Sequence, residues 1–298
     1  MNQIQFTQNF LTSPALVHKI VSLAQLEPGT AVLEIGPGKG IITKALAERV
    51  GANGRVVAVE LDAQLAANLQ KTLAPWPQIE VRQGNILRFD LSTLGETYTV
   101  FANAPFNITS ELLTHLFRPA GGPAVAHLIL QTEALIGRNK AGIPVETFKS
   151  LLIKPLYEVT AVYHFSRSDF RPQPSVDTAL FRFVRRTAPT VKPAHYDLYQ
   201  DFLSFVAQDR VGEGAWLKLF SKKQLQLMTS RTELVPNRGL KSQSFTAVVA
   251  AFETFVAFCG PKHAVVKDSM SQLRHTQHQT QRHNTQGGHH RSRRKKNA

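Results

Sequence analysis

Residues 31–40 read A-V-L-E-I-G-P-G-K-G, and I-I-T-K-A-L-A-E-R-V follows at 41–50. The first five residues form a short apolar run. Three glycines then alternate with Pro37 and Lys39, and the next ten residues repeat apolar side chains at helical spacing. This reads as a buried strand, a tight turn and a helix. Gly36, Gly38 and Gly40 permit the turn and bring backbone N–H groups near a ligand. A glycine pattern alone is a weak sign, but its context strengthens it. The next strand, R-V-V-A-V-E at 55–60, ends in Glu60, where a carboxylate could hold two ribose hydroxyls.

The same alternation extends along the chain. Strands are expected at 79–83, 98–102 and 124–131, and helices at 15–26, 63–73 and 109–117. Strands alternating with helices predict a parallel sheet covered on both faces. After 155, two alternating runs flank S-R-S-D-F-R-P-Q-P-S, whose prolines forbid a regular element. They are expected to close the sheet as an antiparallel pair. Helical periodicity at 195–208, 215–229 and 242–258 predicts a small second domain. The predicted division is 1–185, then a helical RNA-binding or support domain over 186–262, then a disordered basic tail over 263–298.

Composition narrows the class. The chain has 298 residues, 43% of them hydrophobic, and a formal net charge of +14. From Lys262 onward, nine Lys/Arg face one Asp, or +8; the preceding residues carry 26 basic and 20 acidic groups, or +6. A body and a tail that are both basic suit a polyanionic partner. One cysteine, Cys259, excludes an intrachain disulfide and a multi-cysteine metal site. No signal peptide or membrane-spanning run is evident, and a cytoplasmic monomer is expected.

The second informative stretch is V-F-A-N-A-P-F-N-I-T at 100–109, at the end of the fourth strand. N-A-P-F resembles the Asn–x–Pro–aromatic motif of amino-directed methyltransferases, which implies an adenine amine as target, a poor nucleophile because its lone pair is delocalised into the ring. The Asn103 carbonyl and the backbone carbonyl of Ala104 or Pro105 could accept its protons and favour the attacking form. Pro105 fixes the backbone, and Phe106 offers a stacking face for an extracted base. The alternative is a strand-to-helix turn in which Asn107 or Thr109 caps the next helix.

E-I-G-P-G-K-G resembles the first motif of S-adenosylmethionine-dependent methyltransferases. Q-N-F-L-T-S at 8–13 and D-F-R-P-Q-P-S-V-D-T-A-L at 169–180 resemble segments of ribosomal RNA adenine N6-methyltransferases. The resemblance covers about residues 5–260 and implies an α/β fold: a Rossmann-like seven-stranded class I methyltransferase domain with a small all-helical C-terminal domain. It implies S-adenosylmethionine as cofactor, without a metal, held by Gln8, Asn9, Leu11, Glu34, Gly36, Gly38, Gly40, Glu60, Asn85 and Asn103. Phe10 is expected to support this site by packing. Asn103, Pro105 and Phe106 take the catalytic roles. Phe170, Arg171 and the tail cluster Arg291, Arg293, Arg294, Lys295 and Lys296 are expected RNA contacts, with Phe170, Pro172 and Pro174 shaping the base entrance. Departures from the pattern are Thr7, Asn85 in place of Asp, and Phe106 in place of Tyr.

W-L-K-L-F-S-K-K-Q-L at 216–225 resembles the macrolide–lincosamide–streptogramin B resistance branch. That branch implies 23S rRNA as partner, before large-subunit assembly is complete. The alternatives are a 16S rRNA adenine dimethyltransferase of small-subunit maturation and a noncatalytic nucleic-acid-binding factor.

Overall fold

The computed structural model describes residues 9–103, 105–139, 141–208 and 213–276. The chain divides into two compact units, Met1–Thr190 and Val191–Ala298.

The first unit is built on a seven-stranded sheet. Its strands are β2 (Ala31–Ile35), β3 (Arg55–Glu60), β4 (Ile79–Gln83), β5 (Thr99–Ala102), β6 (Val125–Gln131), β9 (Tyr157–His164) and β11 (Thr178–Arg185). Their order is β4-β3-β2-β5-β6-β11-β9. The first five run parallel, and β11 lies antiparallel between β6 and β9. The chain winds outward from β2 through β3 to β4, then returns to β5 on the other side of β2. A crevice therefore opens where the C-terminal ends of β2 and β5 part.

Helices follow the strands as expected. Helix α1 (Pro14–Ser22) begins where the Ser13 side chain accepts from Leu16 N, with a proline in the first turn. Helix α2 (Ile41–Val50) packs against it, and both cover an apolar core that includes Ile20, Leu46, Phe101 and Leu180. Helix α3 (Ala63–Thr72) is capped by Asp62, which accepts from Gln64 N and Leu65 N. Helix α4 (Thr109–Leu116) follows β5.

Three small features were not predicted. Strand β1 (Phe10–Leu11) pairs with β10 (Phe170–Arg171), β7 (Ile136–Arg138) pairs with β8 (Pro144–Glu146), and α5 (Phe148–Ile153) follows. Strands of two or three residues are too short to show a period.

The second unit contains α6 (Tyr196–Gln208), α7 (Glu213–Leu219), α8 (Lys222–Arg231), α9 (Phe245–Phe258) and α10 (His263–Val266). Its core is aromatic: Phe202, Trp216, Phe220, Phe252 and Phe255 are buried against one another. The helix expected over 215–229 is two helices. Ser221 and Gln224 form a capping box that starts α8 afresh.

The first unit ends near residue 190. Arg186 N donates to Leu156 O and Thr190 N donates to Pro155 O, so the first unit holds the chain beyond 185. The disorder expected from 263 is corrected. Residues 263–276 are largely helical, with Val266 and Met270 buried. The Asp201 carboxylate accepts from Asp268 N at 3.0 Å and Met270 N at 2.9 Å. Two apolar side chains and one carboxylate on α6 are enough to dock a polar segment. Truncation after His263 should therefore destabilise the protein by roughly 3–5 kcal/mol, from the lost burial of Val266 and Met270. Urea unfolding checks this; an unchanged midpoint and slope would show that the segment contributes nothing.

Candidate active site

The site is assembled from the C-terminal ends of adjacent strands. Gly36, Gly38 and Gly40 after β2 have φ of 67°, 56° and 79°. Such angles are natural only for glycine. Gly38 N donates to Glu60 Oε2 at 3.1 Å, and Asp62 N donates to Glu60 Oε1 at 3.0 Å. The Glu60 carboxylate thus ties the glycine loop to the start of α3. Each of its oxygens keeps a lone pair for a further donor.

Gly40 also has a packing task. A Cβ there would lie 2.7 Å from Leu69 Cδ2 and 3.6 Å from Leu73 Cδ1. Its lack of a side chain lets the start of α2 approach α3, so the space it leaves is filled by protein.

Glu34 is buried on β2, and neither carboxylate oxygen has a hydrogen-bond partner. Burial pushes its pKa up to about 8; the Thr43 hydroxyl offsets part of this and the Glu60 carboxylate adds to it. A buried acid without a partner beside a glycine loop suits a cationic group.

Asn103 is buried at the end of β5, and its Nδ2 donates to Asn9 O at 2.8 Å. That bond leaves Oδ1 as the acceptor end of the amide. Pro105 and Phe106 are half-buried, and Phe106 opens a one-turn helix that leads into α4. The Pro105 carbonyl accepts from Ile108 N at 3.2 Å, so this turn already uses one of the two backbone acceptors expected.

A cavity of about 110 Å³ brings Asn103 together with Phe10, Leu11, Gly36, Pro37 and Lys39. Phe10, expected only to support the site by packing, lines the cavity itself. The β1–β10 pairing holds this segment, with Thr12 N donating to Asp169 O at 3.2 Å. Asn85 lies farther out. It is exposed after β4, and its Oδ1 accepts from Leu87 N at 2.9 Å as a cap. Its amide N–H groups remain available.

Phe170 is corrected. It is fully buried, packs on Phe165 with ring centroids 5.1 Å apart, and belongs to the core cluster that contains Leu11. No face is left for a base. Pro174 is also buried, whereas Arg171 and Pro172 are exposed. Gln8, Ala104, Arg291, Arg293, Arg294, Lys295 and Lys296 lie outside the described residues.

A doubly wound seven-stranded sheet with a glycine loop and a strand-end acid defines a class I S-adenosylmethionine-dependent methyltransferase. The family model "Ribosomal RNA adenine dimethylase" matches residues 1–255, and the chain belongs to that family. It is an S-adenosylmethionine-dependent adenine N6-methyltransferase. Among curated proteins, it is 36% identical over 198 residues to ribosomal RNA small subunit methyltransferase A of Pseudoalteromonas translucida, covering 63% of this chain and 72% of the relative. The protein of that name from Moorella thermoacetica is 34% identical over 206 residues, covering 64% and 70%. Among solved structures, the 23S rRNA methyltransferase ErmE superposes with a TM-score of 0.71 at 24% identity, over 83% of this chain and 100% of that one. A dimethyladenosine transferase from Plasmodium falciparum gives 0.62 at 18% identity, over 83% and 98%. These structures share the fold.

The expected 23S rRNA partner is overturned by the sequence relatives, which are named for the small subunit. The segment that suggested it explains the error. In 216–225, Trp216, Leu219 and Phe220 are core residues, while Ser221 and Gln224 form a helix cap. These residues pack a core and start a helix, so the resemblance in this segment is not a resemblance of RNA contacts. No single helix among the described residues is long and apolar enough to cross a membrane, and none of their His, Cys, Asp and Glu form a group of three or more that could hold a metal ion.

Glu34 yields a pH prediction. Its pKa is raised from 4.5 to about 8 in the folded protein. Its contribution to stability is therefore complete below about 4.5 and is lost as pH rises through 8. Unfolding free energy of the ligand-free protein should fall by several kcal/mol across this window, and Glu34→Gln should flatten the profile. A Glu34→Gln profile parallel to wild type, from urea titrations at stepped pH, would contradict the assignment.

Proposed function

We propose that this chain methylates N6 of adenine in small-subunit (16S) rRNA and acts in the maturation of that subunit. The target rests on the sequence relatives. The reaction rests on one observation: Asn103 is held by its amide nitrogen, so that its oxygen is left to accept.

The residues fit the cofactor. Glu34 supplies a buried carboxyl group that a cation would draw into its ionised form, Glu60 a strand-end carboxylate with free lone pairs, and Phe10, Leu11 and Gly36 the walls of the cavity beside Asn103. Glu34 would face the cationic end of S-adenosylmethionine, and Glu60 its ribose hydroxyls. Asn85 would offer amide donors to the adenine ring. When bound, S-adenosylmethionine supplies an electrophilic methyl group on a sulfonium.

The chain's own part is to prepare the target amine. Asn103 Oδ1 accepts an N–H of the adenine amine and draws its lone pair out of the ring. Asn9 O keeps Asn103 from rotating, which would present a donor in place of the acceptor. The half-buried Phe106 ring stacks on the extruded base. Its stacking requires an aromatic ring and no hydroxyl.

Mass mapping of rRNA from cells with and without the gene tests the target. Methylated adenines that appear only in small-subunit rRNA are expected; methylation confined to large-subunit rRNA would refute the reading. A protein that fails to bind S-adenosylmethionine in calorimetry would instead be a noncatalytic factor.

Asn103→Ala should lower kcat about 10²–10³-fold, the usual loss for one positioned polar group at the reacting centre. Cofactor affinity should fall less than kcat, because Glu34 and Glu60 are untouched and only the Asn9 anchor of the strap is lost. Phe106→Ala should raise KM for RNA by a factor equivalent to about 1–3 kcal/mol, and Phe106→Tyr should preserve it. Near-normal single-turnover methylation by Asn103→Ala would contradict its role.

A further inference from the structure

The second unit carries a larger cavity that the reaction does not use. It is a groove of about 560 Å³ between the end of α7, the start of α8 and the end of α9. Leu217, Phe220, Phe258 and Pro261 give it an apolar floor, and Lys222 and Lys262 stand at its edge. Phe258 is 76% exposed, the most open of the large hydrophobic side chains among the described residues. It is the last residue of α9, while Phe252 and Phe255 of the same helix are buried in the core. The unit therefore leaves one aromatic ring outside its own packing.

The charges around the groove are all of one sign. Its lining contains two lysines and no carboxylate. Lys222 and Lys223 open α8, whose first turn has no acid. A helix start favours negative charge, so two lysines there oppose the local dipole. The arrangement becomes favourable once an anion is present.

Three occupants can be compared by charge. Residues 277–298 carry six Lys/Arg and no acid, so they bring no complement. A second copy in a two-fold interface would set the lysines of one groove against those of the other. Single-stranded RNA supplies what the groove lacks: flat apolar base faces and a phosphate at every step.

We infer that this groove holds a single-stranded RNA segment, with a base stacked on Phe258 and phosphates at Lys222 and Lys262. The inference relies on the rRNA reading for the source of the RNA, and on the groove alone for binding. Phe258 and Lys222 would add affinity without choosing the methylated adenine. Lys262 Nζ also donates to Lys218 O at 2.6 Å, so Lys222 is the cleaner cation to test.

The test uses the full chain and a short, unstructured, fluorescein-labelled RNA without S-adenosylmethionine, followed by anisotropy over a range of KCl concentrations. Phe258→Ala should weaken binding by about tenfold, Phe258→Leu should weaken it similarly, and Phe258→Tyr should restore it. Lys222→Gln should reduce the log–log salt slope by about 0.7. A 4-thiouridine version of the RNA should crosslink to the peptide containing Phe258. Unfolding midpoints should match wild type, because Phe258 and Lys222 are exposed. Wild-type affinity and slope in all variants, with no crosslink, would overturn the inference. Full binding by Phe258→Leu would overturn base stacking on Phe258, because leucine has no aromatic face. A wild-type dimer that Phe258→Ala dissociates in sedimentation would assign the groove to a second copy. Because this assay contains neither cofactor nor a designated target, it stands or falls separately from the small-subunit assignment.

Discussion

The winding order of the sheet governs the rest of the first unit. Because β2 lies between β3 and β5, the chain leaves its C-terminal end in one direction and returns on the other side. Ile35 and Ala102 are register partners at that point, so Gly36 and Asn103 emerge next to each other from segments far apart in sequence. The loop after β2 can approach a ligand because its residues are glycines at positive φ. The segment after β5 can present an amide because a buried strand fixes its base. No local interaction could bring these two chemistries together without that topology.

Two side-chain bonds then set the geometry. Glu60 accepts from Gly38 and Asp62, which joins the ends of β2 and β3. Asn103 donates to Asn9 O, which joins the end of β5 to the amino-terminal strap. The strap is held in turn by β10, whose Phe170 is buried beneath it among the residues packed with Leu11. The segments Q-N-F-L-T-S, N-A-P-F and D-F-R-P-Q-P-S are thus mechanically continuous. Phe170 contributes to the site through packing and not through contact with RNA.

Much of this was legible in the sequence because the parallel strands are continuous apolar runs. Ala31–Ile35 and Arg55–Glu60 fall where the pattern places them, and Thr99–Ala102 within one residue of it. The glycine turn after β2 and the place of Asn103 after β5 were legible because residue type restricts the backbone there. The site was not legible where contact decides the function. Nothing local distinguishes Gly40, which makes room for Leu69, from Gly38, which meets Glu60. Nothing local shows that Asp201 collects the backbone of Asp268 and Met270, so 263–276 reads as a polar tail. In W-L-K-L-F-S-K-K-Q-L, Trp216, Leu219 and Phe220 serve a core and Ser221 and Gln224 a helix cap, roles that only the packed structure displays.

The central claim is that the β2/β5 crevice holds the cofactor with its reactive end toward Asn103. A crystal structure with S-adenosylhomocysteine tests it most directly. The ribose hydroxyls should meet Glu60, and the amino-acid end should lie among Phe10, Leu11 and Gly36, beside Asn103. Density for the ligand elsewhere in the first unit, or in this crevice with its sulfur directed away from Asn103, would contradict the account.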